Sequence, residues 1–171
     1  TPYGTHYWNE QGKIVEDNLR GDDSRVIMDR AIPFIENAAT TKKPFFTIVW
    51  FHTPHLPVVA GPEHAALYAK HPAYAKNYYG CVTAMDEQVG RLRTKLRQLE
   101  VADNTMLWFC SDNGPEGQAG SAPGSAGPFR GRKRSLHEGG IRVPGLLEWP
   151  ALVKPGKSSD FPAVTSDYLP T

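Results

Sequence analysis

The chain has 171 residues, and its 19 Lys and Arg against 18 Asp and Glu leave a formal net charge of +1. That balance excludes a nucleic-acid binder driven by bulk charge and an acidic solvating tail, while 40% hydrophobic and 22% charged residues exclude wholesale disorder. Sixteen glycines and 15 prolines predict long, shaped loops between compact elements, where sites tend to lie.

The opening Thr1-Pro2-Tyr3-Gly4 carries no signal-peptide pattern; an abrupt start and stop read as a processed chain or a fragment. Asp22-Asp23-Ser24 reads as a helix N-terminus, with carboxylates at the positive end of the dipole. Ile27, Ala31, Phe34, Ile35 and Ala38 follow at helical spacing, and Pro33 predicts a kink or a split. Phe45 to Phe51 is a continuous apolar run between prolines, expected to be a strand buried on both faces. It is far short of the roughly 20 residues that span a bilayer.

Tyr78, Val82, Met85, Val89, Leu92, Leu96 and Leu99 draw one apolar stripe along a helix over 74–99, with Glu87 and Arg91 expected to pair on its other face. Asn104 to Cys110 reads as a second buried strand, and Val143 to Trp149, with Pro144, as an edge-like third. Strand, long helix, strand is the α/β pattern of a mostly parallel sheet with helices on both faces.

Polar clusters follow the two best strands, at the ends where parallel sheets gather ligands. His52-Thr53-Pro54-His55 offers imidazoles for proton or hydrogen-bond donation; Pro54 forbids a helical zinc pair. Ser111-Asp112-Asn113-Gly114 offers hard oxygen donors of the kind Ca²⁺ or Mg²⁺ takes, although the same tripeptide also makes an ordinary turn. Arg130 to Arg134, leading into His137-Glu138-Gly139-Gly140, is a solvated basic loop or a cradle for a tetrahedral oxyanion. Cys81 and Cys110 are too few for a disulfide framework or a four-thiolate metal site.

Taken in order, PFFTIVWFHTPHLP, NYYGCVTAMDEQVGRL, DNTMLWFCSDNG, GRKRSLHEGGIRVPGLLEWP and TSDYLPT resemble the type I, formylglycine-dependent sulfatases of the alkaline phosphatase superfamily, over most of the chain from Asp22 to Thr171. The resemblance implies that Asp112 and Asn113 ligate an active-site Ca²⁺. It implies that Lys133, five residues before Glu-Gly-Gly, contacts the sulfate oxygens. His55 is the implied sulfate contact and proton donor to the leaving alcohol, ahead of His52, and Glu138 and Arg142 are scaffold. The stretch around SAGPFRGRKRSLHEGG is most similar to sulfatases acting on sulfated sugars, including the N-acetylgalactosamine-6-sulfatase type.

The family's nucleophile motif, Cys/Ser-x-Pro/Ala-x-Arg, fits neither Cys81 nor Cys110, and the acidic pair that completes the Ca²⁺ site has no match. The implied reading is that residues 1–171 form the middle-to-late part of one sulfatase catalytic domain, with the formylglycine region upstream. Alone, the chain is expected to be inactive and to expose the apolar runs that absent strands would cover. The implied substrate is a sulfated carbohydrate or aryl sulfate, with no nucleic-acid partner and no membrane span, in the periplasm, the lysosome or outside the cell. Within the superfamily the alternative is a phosphodiesterase or phosphonate monoester hydrolase; outside catalysis it is a module that holds sulfated glycans through Lys133 and the 130–134 loop.

Overall fold

A computed structural model describes residues 6–168 of the chain; the Thr1-Pro2-Tyr3-Gly4 opening and the last three residues of TSDYLPT lie outside them. In chain order come α1 (Asp23–Thr40), α2 (Pro62–Leu67), α3 (Ala73–Gln98), β1 (Leu107–Cys110), α4 (Glu138–Ile141) and β2 (Gly145–Glu148), with single 3-10 turns at Ala102–Asn104 and Thr165–Asp167. Asp22 caps α1 as its sequence predicts, its carboxylate accepting the Ser24 N–H at 2.8 Å. Pro33 does not split the helix, which runs on to Thr40. Both long helices stop in the same way without glycine: Lys42 and Glu100 take φ of 55° and 58°, and Lys43 and Val101 donate back to Ala38 and Leu96.

The main core joins Met28, Ile32 and Ile35 of α1 to Leu92 and Leu96 of α3. Phe45, Val49 and Phe51 pack on it from the segment after α1. That segment is not buried on both faces as expected. It runs without ladder bonds, and its alternate residues Phe46, Ile48 and Trp50 are 74%, 61% and 82% exposed. One face lies on the helices and the other is largely exposed, the period-2 alternation of an extended segment buried on one side.

The buried line of α3 also differs from the predicted stripe. In its first half it runs through Gly80, Cys81 and Ala84, while Tyr78, Val82, Met85 and Val89 are half-buried beside it. Small residues win because α2 and the strand-like 58–60 segment press close. A Cβ on Gly80 would stand 2.6 Å from that of Ala60, and Val58, Ala60 and Cys81 form a second small core. Glu87 and Arg91 do not pair with each other. Glu87 accepts from His64 of α2 at 2.9 Å and Arg91 from α3 reaches Asp29 of α1, because partners across the helix contacts are better placed than the next turn.

Asp29 also takes Arg25 at 2.5 Å and Asn18 at 2.8 Å. Burial alone would raise its carboxyl, but these hydrogen bonds and the two guanidinium groups outweigh it and hold the group below its ordinary value. A carboxyl depressed in the folded state stabilises above its unfolded pKa, and that contribution is lost as pH falls through the folded value. Asp29→Asn is therefore expected to cost about 1–2 kcal/mol at pH 7 in urea unfolding, with the gap to wild type closing below about pH 4.

Among the described residues the β-ladder is antiparallel, pairing Leu107 with Glu148 and Cys110 with Gly145. Both predicted strands are present in shortened form, and Arg93 of α3 fastens the ladder by donating to Glu148 at 2.6 and 3.1 Å. No helix among the described residues is long and apolar enough to cross a membrane.

Candidate functional site

β1 delivers its chain directly into Ser111-Asp112-Asn113-Gly114, and the glycine decides where that turn goes. Gly114 N–H donates to the Gly140 carbonyl at 2.9 Å, and a Cβ on Gly114 would stand 1.9 Å from the Gly139 oxygen. Gly139 and Gly140 are as tightly covered in turn, by the carbonyls of Gly131 and Ser135 at 2.2 and 2.1 Å from their would-be Cβ atoms. Three glycines from two distant motifs thus stack backbone on backbone. Pro115 continues the contact, its carbonyl accepting the Lys133 N–H at 3.0 Å. The Asp-Asn turn and the basic loop are one clamped unit.

Within it, the Asp112 side chain is exposed and makes no hydrogen bond or ion pair among the described residues. Asn113 spends its amide N–H on the Gly114 carbonyl at 2.8 Å, which leaves its side-chain oxygen available. In type and freedom these are donors that suit Ca²⁺, but they are two where the ion takes six to eight oxygens, and no group of three metal-ligating side chains occurs among the described residues.

Across the clamp, the Lys133 side chain is 21% exposed, with Nζ 3.8 Å from Glu116, whose other oxygen holds Arg134 at 2.5 Å. Sequence reasoning missed Glu116; its signal was its being the lone acid between Gly114 and Arg134. Arg132 is spent structurally, donating to the carbonyls of Glu116, Pro123 and Gly124. Glu138 and Arg142 pair with each other at 3.0 Å across one turn, and the Arg142 guanidinium lies 4.8 Å over the Phe129 ring.

The histidine loop is held from the other side. Thr53 donates its hydroxyl to Asp23 in the first turn of α1, and the His55 N–H donates to the His52 carbonyl at 2.8 Å. The two imidazoles stand 5.2 Å apart. His55 Nδ1 lies 2.8 Å from the Leu56 carbonyl; a carbonyl only accepts, so Nδ1 carries a proton and Nε2 is the free nitrogen. No hydrogen bond or ion pair joins His55 to the clamp among the described residues. The link is packing: Tyr78 sits on Val58, Ala60 and Cys81 below the histidine loop, and its hydroxyl lies under the Gly124 turn of the basic loop.

Neither thiol is bridged. Cys81 is buried in α3, and burial followed by the charges of Asp22 and Asp23 pushes its thiol up to about 11. Such a group stays protonated and inert at neutral pH.

A turn of oxygen donors is thus clamped beside a cationic, glycine-flanked loop at the end of a strand, and the comparisons give the family. The family model for sulfatases matches residues 2–171; the chain belongs to the sulfatase family. It is 35% identical over 153 residues to mouse Arylsulfatase G, covering 84% of this chain and 28% of that one. It is 32% identical over 161 residues to pig N-acetylgalactosamine-6-sulfatase, covering 89% and 30%. Among solved structures, Ps i-CgsB in complex with k-i-k-neocarrahexaose superposes with a TM-score of 0.72 at 34% identity, over 81% of this chain and 30% of that one. The PsFucS1 sulfatase from Pseudoalteromonas sp. does so with 0.68 at 26%, over 85% and 29%. These likenesses give the α/β, alkaline phosphatase-like class of the fold. The chain spans less than a third of the length of each of these relatives.

Proposed function

We propose that this chain is the middle-to-late part of the catalytic domain of a sulfatase, an enzyme that hydrolyses the sulfate ester of a sugar or an aryl alcohol. The observation that carries the reading is the glycine-on-glycine clamp that sets Asp112 and Asn113 beside the Lys133 loop. The named relatives support ester hydrolysis, and the complex of Ps i-CgsB with k-i-k-neocarrahexaose supports a carbohydrate substrate. The exposed Phe46, Ile48 and Trp50 face supports a sheet that continues through neighbours from the rest of a longer protein.

In this reading Lys133 takes the sulfate oxygens and neutralises charge as it develops there. His55 stands by the ester oxygen. With Nδ1–H held on Leu56, donation runs from Nε2 of the imidazolium form. Its Nε2–H proton passes to the departing oxygen, which leaves as a neutral hydroxyl rather than an alkoxide, and the ring is left neutral with its proton on Nδ1. Asp112 and Asn113 would be two ligands of Ca²⁺, which when bound supplies Lewis-acid stabilisation of the sulfate oxygens. The remaining ligands and the formylglycine nucleophile belong to other parts of the protein. The inert Cys81 thiol fits that division. The family's compartments, the periplasm, the lysosome or the extracellular space, are proposed with it.

The test is hydrolysis of 4-nitrophenyl sulfate by the full-length protein and by the 171-residue chain, with dye binding to the chain as a second readout. Turnover by the full-length protein, none by the chain, and dye bound to the chain's exposed apolar face are the expected results. Turnover by the isolated chain would sink the division of labour, and a full-length protein that cleaves only aryl phosphodiesters would replace the sulfatase reading.

A further inference from the structure

One charged group in the clamp has no part in the reaction described above. Glu116 faces the basic loop with its two oxygens divided, Oε1 at 2.5 Å from Arg134 Nη1 and Oε2 at 3.8 Å from Lys133 Nζ. Its place is fixed by backbone on both sides. Its own carbonyl accepts from Arg132 Nη2 at 2.8 Å, the preceding carbonyl accepts from Lys133 N–H at 3.0 Å, and Gly114 is locked under Gly139. The carboxylate is partly shielded, with the side chain 29% exposed. Two cations flank it, so one of their two charges is cancelled at the point where an oxyanion would meet Lys133.

We propose that Glu116 is a specificity-determining residue of the oxyanion site, matching it to a singly charged sulfate ester and against a doubly charged phosphate monoester. This deepens the sulfatase reading of Lys133 and rests on it. The two esters are alike in tetrahedral shape and in oxygen count, so a pocket contoured to one admits the other. They differ in charge. A sulfate monoester has a single ionised oxygen, whereas a phosphate monoester, with a second pKa near 6, is close to a dianion at pH 8. A fixed carboxylate beside Lys133 repels the second phosphate charge, and the sulfate ester has none to repel.

The selectivity that results is one charge–charge interaction at a few ångströms in a partly solvated site, worth about fivefold in relative affinity. It is electrostatic, so it must weaken as salt is added. A side chain that merely kept the loop folded would affect both ligands alike.

The experiment measures, in the full-length protein at pH 8 and low salt, KM for 4-nitrophenyl sulfate and Ki for phenyl phosphate as a competitive inhibitor. Glu116→Gln is expected to lower Ki relative to KM by about fivefold, less at high salt. Glu116→Asp, which keeps the charge, should hold the wild-type ratio. Arg134→Ala removes a charge of opposite sign and should move the ratio the other way, so the idea remains testable if Glu116→Gln does not fold. Sulfate turnover with a ratio unmoved by these charge changes overturns the role of Glu116 and leaves the sulfatase reading standing. No sulfate turnover in the wild type overturns both.

Discussion

Replacing Lys133 by alanine in the full-length protein is expected to lower kcat/KM for an aryl sulfate by about a hundredfold to a thousandfold, the cost of removing one pre-positioned charge from an oxyanion site. The magnitude depends on pre-positioning, and the structure has it. The Lys133 backbone is tied to Pro115, its side chain is mostly shielded, and its ammonium faces the divided carboxylate of Glu116. In the proposed function, a cation held in place would lose little freedom when the ester arrives and would stabilise charge as the S–O bond opens. Arg134, next in sequence, makes the contrast. Its side chain is 71% exposed and already engaged by Glu116, so Arg134→Ala should cost less than about tenfold, within the range of a solvent-screened charge. Lys133→Arg should recover only part of the loss, because a planar guanidinium does not occupy the point position of an ammonium. A Lys133→Ala enzyme within a few-fold of wild type would show that the oxyanion is held elsewhere.

How far the sequence foretold this depends on the range of the interactions involved. The caps and periodicity of α1 and α3 are local, and the residues showed them: Asp22 at the cap, and Leu92 and Leu96 on the buried face. The Phe45–Phe51 run was read as apolar throughout and so as buried on both faces. Composition records what a segment can bury, whereas the neighbours that cover it are set by chain pairing. The same distinction explains the α3 stripe. Large apolar residues dominate a periodicity reading, but close approach selects Gly80, Cys81 and Ala84, whose lack of bulk is the signal. Glu87 and Arg91 had the right spacing to pair along α3, and lost to His64 and Asp29 because tertiary partners were nearer.

At the site, Asp112, Asn113 and His55 were legible as residue types after apolar runs, Lys133 as part of a basic loop, and the roles proposed for them come from resemblance. What joins Asp112 and Asn113 to the Lys133 loop was not legible. The clamp is backbone against backbone across more than twenty residues of loop, and the sequence marks it only by glycines at positions 114, 139 and 140. Glu116 was hidden for a related reason. Its place is decided by Pro115 pairing with Lys133, a contact that no local pattern announces.

Gly114→Ala is expected to destabilise the chain by about 3 kcal/mol, at the upper end of overpacking substitutions. The added methyl would meet the Gly139 oxygen at 1.9 Å, its carbonyl carbon at 2.9 Å and the Gly140 Cα at 3.1 Å, all backbone atoms that no side-chain rotation can clear. Nor can that backbone retreat. Gly139 is backed by the carbonyls of Gly131 and Arg130, and Gly140 by those of Ser135 and Arg132, so three layers would have to move together. Moving them breaks the Gly114–Gly140 hydrogen bond and carries Asp112 and Asn113 away from the Lys133 loop, so oxyanion binding should be lost with stability. Gly90→Ala is the matched control. Gly90 lies inside α3 with nothing within 4 Å of its would-be Cβ, and there alanine should stabilise by about 0.5–1 kcal/mol through helix propensity alone. Urea unfolding of the two variants reads the difference directly. Midpoints that shift together in either direction would mean that the clamp yields, and that the turn and the basic loop are not one rigid unit.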